Sequence, residues 1–197
     1  HIFKMPASGE EPAETARSRL DKLSRILDAL PDSAGGPLPS QEPPARILDQ
    51  AWLVLEKRSR LQSRREDIEQ EIRRIRPFGH FAPEDVQALK DHGVILSLWQ
   101  ASQEVAVPDD CFQVVTSRDK DSLFLAVFSR SAPEIQAQEI SLPQQSLHSL
   151  EHELAGIEND MAELDREIAG FAPARQALEK LHLELGDQLE NARVKSR

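Results

Sequence analysis

The chain has 197 residues, a formal net charge of −10, 39% hydrophobic and 29% charged residues. That balance favours extended helix over one large round core, and an acidic surface argues against a general nucleic-acid binder or an anionic-membrane binder. Cys111 is the only cysteine, which rules out an intrachain disulfide and fits a reducing compartment.

The opening "HIFKMPASGEE" has neither an initiator Met nor the shape of a signal peptide, and we expect it to lie inside a longer polypeptide. No apolar run approaches the ~20 residues of a membrane helix. Residues 12–30 are expected to form a helix, because Ala16, Leu20, Leu23, Leu27 and Leu30 step by fours and threes along one face. The stretch "PDSAGGPLPSQEPP", residues 31–44, cannot continue it and reads as a loop or flexible linker.

Residues 45–76 are expected to form a second helix. Ile47, Val54, Leu61, Ile68 and Ile75 recur every seventh position, and Ala51, Arg58, Arg65 and Ile72 form a weaker companion seam. Arginines in such a seam can lay their stems along it and keep their charges in water. Pro77 and Gly79 end the helix.

Residues 77–143 change character. Six of the nine Phe and Trp residues lie between Phe78 and Phe128, so the bulky core material is concentrated there. "PEDVQALKDHG" reads as a short helix with Pro83 in its first turn and Gly93 as its stop. "VILSLWQ", "CFQVVT" and "LFLAVFS" read as strands, the last two joined by "SRDKD" as a hairpin, and "IQAQEI" as an edge strand. The strand at 123–128 is apolar on both faces and should be central or covered on both sides.

Residues 144–194 return as helix. Leu147, Leu150, Leu154, Ile157, Met161, Leu164, Ile168 and Phe171 alternate steps of three and four, and Ala174 then adds a second consecutive step of three. Such a stammer overwinds a coil locally. It falls on "GFAP", where Pro173 lacks the N–H that a continuous helix needs. Gly170 and Pro173 are therefore the expected hinge. Residues 45–76 carry nine basic and six acidic residues, whereas 144–190 carry three basic and eleven acidic, so the two helices are expected to face each other. The return helix spans roughly 70–75 Å, about the combined length of the first two helices, so the break at 31–44 should stand opposite "GFAP". The expected fold is α+β: a long antiparallel helical coiled-coil hairpin (12–76 out, 144–194 back) capped by a small α/β lobe at 77–143 with a mostly antiparallel sheet.

Chemistry is harder to place. His148 and His152 stand one helical turn apart, a chelating spacing, but no third ligand suggests itself, and solvated histidines are the simpler reading. "PDDC" offers Cys111 no base, so a turn before a strand is favoured over a nucleophile. "SRDKD" lacks the central Gly and closing Glu of a calcium loop. There is no phosphate-binding Gly loop and no serine elbow, and no catalytic, cofactor or metal residue is assigned. Arg76, Phe78, His80, Phe81 and Trp99 form a candidate patch for docking a partner, with burial in the lobe's core as the alternative for each aromatic. Trp52 is expected to anchor helix packing.

The run "IRRIRPFGHFAPEDVQALKDHGVILSLWQ", followed by "DDCFQVVTSRDKDSLFLAVFSR", "EISLPQQSLHSLEHELAGIE" and "LHLELGDQLENARV", resembles subunit I of the V/A-type rotary ATPases, counterpart of the eukaryotic V-ATPase subunit a, over roughly residues 45–194. The resemblance implies a long helical hairpin joining two α/β lobes, with residues 77–143 as the lobe far from the membrane and residues 1–5 as the tail of a strand of the other lobe. It further implies a non-catalytic stator arm at the cytoplasmic face of the membrane. Its far lobe would bind a coiled-coil peripheral-stalk heterodimer, and a membrane domain would follow later in the same polypeptide. It brings no cofactor, small-molecule substrate or nucleic acid. The Pro/Gly-rich break at 31–44 departs from that pattern. The rival expectations are a generic coiled-coil adaptor or scaffold for another helical partner and a nucleic-acid-binding helical arm, the latter disfavoured by the acidic return helix and lobe; an enzyme comes last, for want of an assembled site.

Overall fold

A computed structural model describes residues 10–31 and 43–195. The expected strand tail at 1–5 and nearly all of the expected linker at 31–44 lie outside those residues. In chain order the elements are α1 (Glu10–Ala29), α2 (Pro44–Ile75), a 3-10 turn (Arg76–Phe78), α3 (Pro83–Asp91), β1 (Ile95–Ala101), β2 (Phe112–Arg118), β3 (Leu123–Ser129), β4 (Gln138–Ile140), α4 (Leu147–Gly170), a second 3-10 turn (Ala172–Ala174) and α5 (Arg175–Lys195). The class is α+β. No described helix is long and apolar enough to cross a membrane.

The chain divides into two compact units. One holds residues 1–62 and 159–197, the other 63–158. The first is helical. Its core joins Leu23, Ile26 and Leu30 of α1 and just after it, Ile47, Leu48, Ala51 and Val54 of α2, Leu164 and Ile168 of α4, and Ala174 and Leu178 around the start of α5. These are the heptad seams read from the sequence, with additions. Ile26 and Leu48 are 2% exposed, and Leu27 is only partly buried. A helix that touches more than one neighbour buries a stripe wider than a two-position seam. Trp52 packs at the edge of this core, with the Lys22 ammonium 5.2 Å from its ring centre.

The return helix is interrupted where the rhythm slips. Phe171 N–H donates to the Ile168 carbonyl at 3.0 Å and Ala174 N–H to the Phe171 carbonyl at 2.9 Å. These are the tighter bonds of a 3-10 turn, around a proline that could not have supplied a helical one. Ala172 and Ala174 are buried there. The last turn of α1 lies against this break: the Arg175 guanidinium donates through Nη1 to the carbonyls of Leu27 at 3.2 Å and Leu30 at 2.9 Å. A helix C-terminus leaves carbonyls without intrahelical donors, and a cation there also complements the helix dipole.

The second unit contains the sheet, ordered β2-β3-β1-β4, with every neighbour antiparallel. β3 is interior, as its two apolar faces require. Leu98 faces Ala126, and Trp99 faces Leu125 on β3 and Glu139 on β4. One side of the sheet packs Phe78, Leu98 and Ala126 together with Phe81, Leu96, Phe124, Phe128 and Ile140. The other side packs Trp99, Leu123, Leu125 and Val127 with Val105, Val107, Cys111, Ile135 and Ala137 from the connecting loops. The last two residues correct the expected strand "IQAQEI". Only Gln138–Ile140 pairs, because Ile135 and Ala137 turn into the core, with Ala137 N–H bonded to the Ile135 carbonyl at 2.9 Å.

α3 starts as read. Pro83 occupies its first turn, and Asp85 Oδ2 accepts the Ala82 N–H at 2.9 Å. Gly93, at φ 75°, lets the chain leave, bonding back to the Lys90 carbonyl at 2.9 Å. Gly79, at φ 87°, does the same work after the 3-10 turn that follows α2. α4 begins at Leu147 rather than 144, because Ser146 Oγ accepts the Ser149 N–H at 3.2 Å and caps the first turn.

Candidate interaction surface

The five residues expected to form a docking patch do not converge. Phe78 is 6% exposed and meets Phe124 edge-to-face at 5.5 Å. Phe81 shares that side of the sheet, partly buried. Trp99 is 6% exposed on the opposite side, where its indole N–H donates to Ser97 Oγ at 2.8 Å, and that hydroxyl donates in turn to the Val127 carbonyl at 3.4 Å. Phe78 and Trp99 are thus core residues. Aromatics at the two ends of a loop-helix-strand unit fill opposite faces of the sheet rather than one surface. Arg76 and His80 remain exposed, and Arg76 holds Glu151 at 2.9 Å.

Three exposed large apolar side chains stand together on β2, which the sequence reading passed over as a surface. Phe112 is 68% exposed, Val115 52% and Val114 39%. β2 is an outer strand of the sheet. Among the described residues its outward backbone groups have no strand neighbour, which is the usual template for adding another chain. The other outer strand, β4, is three residues long with exposed Gln138 and Glu139, the short polar edge that resists such pairing. β2 carries a bulge between Val115 and Ser117. There Thr116 Oγ1 donates to the Phe124 carbonyl at 3.2 Å, so the regular part of the edge is short. The available signal was "CFQVVT" itself, which does not alternate apolar with polar as a half-buried strand should.

Other groups are occupied by structure. A cleft of about 370 Å³ is lined by Arg64, Asp67, Glu71, Arg74, Ser141 and Gln144, among others. Its arginines are already engaged: Arg64 binds Glu153 at 2.7 Å, and Arg74 binds Glu71 at 2.7 Å and the Ser141 hydroxyl at 3.1 Å. The Glu71 hydrogen bond holds the Arg74 guanidinium above its ordinary range. These bonds tie the β4–α4 connection to α2 and leave neither guanidinium aimed at a ligand. Burial, then the neighbouring Asp110 charge, push the Cys111 thiol up, the opposite of what activates a nucleophile. Among the described residues no group of three or more His, Cys, Asp or Glu side chains could hold a metal ion. His148 and His152 are both exposed.

Comparison with family models, with characterised proteins and with solved structures finds no match to this chain.

Proposed function

We propose that the chain is a non-catalytic stator arm of a V/A-type rotary ion-translocating ATPase, acting at the cytoplasmic face of the membrane as part of a longer, membrane-embedded subunit. In this reading α2 runs out and α4 and α5 run back as an antiparallel coiled-coil hairpin, and the sheet-bearing lobe links the arm to a coiled-coil peripheral-stalk heterodimer. The supporting observation is the set of ion pairs from α2, and from the turn that follows it, to α4: Arg58–Asp165, Arg64–Glu153 and Arg76–Glu151. Their partners descend along α4 as α2 ascends, as antiparallel helices require. Opposing torque is a mechanical task that needs stiffness and two attachment points rather than a pocket, and heptad seams supply stiffness. The break around Gly170 and Pro173 would allow limited bending.

The test is to mix the full chain with purified peripheral-stalk heterodimer and follow complex formation by calorimetry. Binding in the micromolar range or tighter is expected. No heat of binding at high micromolar concentration, from protein folded by circular dichroism, would remove the assignment. A second reading, a coiled-coil adaptor for a different protein partner, draws on the open apolar edge of β2. It would be favoured if the stalk fails to bind and substitutions on β2 are what abolish capture of another, purified candidate.

A further inference from the structure

We draw no further inference here: the strongest candidate, the open outer edge of β2 with exposed Phe112, Val114 and Val115, is an unpartnered apolar strand, and nothing in the structure shows what covers it.

Discussion

Replacing Leu178 by Ala tests whether α1, α2, α4 and α5 share one core in the helical unit. Leu178 is 0% exposed and belongs to the cluster that includes Leu23, Ile26, Ile47 and Leu48. Removing three carbons from such a site loses their transfer free energy and leaves a cavity, together about 3–4 kcal/mol. Leu183 is the control. It lies five positions further along the same helix but is 68% exposed, and its replacement by Ala should change stability by less than about 0.5 kcal/mol.

The two tryptophans make the measurement local. Trp52 lies in the helical unit and Trp99 in the other, so a Trp99→Phe background leaves Trp52 fluorescence as a reporter of the helical unit. With a urea dependence of about 1–1.5 kcal/mol/M, the Leu178→Ala midpoint should fall by about 2 M or more. Adding Leu23→Ala should give a loss that departs from the sum of the single losses by ~0.5 kcal/mol or more, since the two side chains line one core. Equal small shifts for Leu178→Ala and Leu183→Ala, or strict additivity with Leu23→Ala, would refute the shared core.

Arg175→Met should destabilise the helical unit by about 1–3 kcal/mol on the same Trp52 readout, because the Leu27 and Leu30 carbonyls lose a charged donor; a loss below ~0.5 kcal/mol would mean that water replaces it without cost. Pro173→Ala restores an N–H at the break, so spin labels on the exposed positions 163 and 180 should move toward the ~25 Å axial separation of a continuous helix. An unchanged distance distribution would place the cause of the break in packing rather than in the proline. Alkylation of Cys111 should be slower at neutral pH than that of an unstructured cysteine, with its half-maximal rate at higher pH, because burial and Asp110 favour the protonated thiol. Asp110→Asn should speed it, and a rate matching the unfolded chain would contradict the raised thiol.

Sequence legibility followed the range of the interactions involved. The seam residues Leu164, Ile168, Ala174 and Leu178 could be read from spacing, because a helical period is local and repeats. Pro77, Pro173, Gly79 and Gly93 marked breaks and turns because each alters its own backbone. Ile26 and Leu48 escaped because a seam drawn for one partner does not know that the helix has more than one. β3 announced its central place through two apolar faces, but the order β2-β3-β1-β4 depends on pairings between residues as distant as Leu98 and Ile140, which no local period encodes. The candidate patch suffered from the same gap. Aromatic type favours burial, but tertiary packing decides that Phe78, from the 3-10 turn, and Trp99, from β1, serve opposite faces.

The ion pairs and the apolar seams have different roles. The side chains of Arg58 and Asp165 are 37% and 52% exposed, and those of Arg64 and Glu153 are 50% and 33% exposed. Pairs so open to water contribute at most about 1 kcal/mol each and weaken with salt. They cannot hold helices together against the ordering entropy of their own long side chains. Buried residues such as Leu23, Ile68 and Leu178, at 0%, 2% and 0% exposure, each contribute about 1.5–3 kcal/mol through burial alone. Burial therefore supplies the adhesion within each unit, and Arg58–Asp165 in the helical unit and Arg64–Glu153 in the other add to it only a small, salt-sensitive preference for the observed pairing.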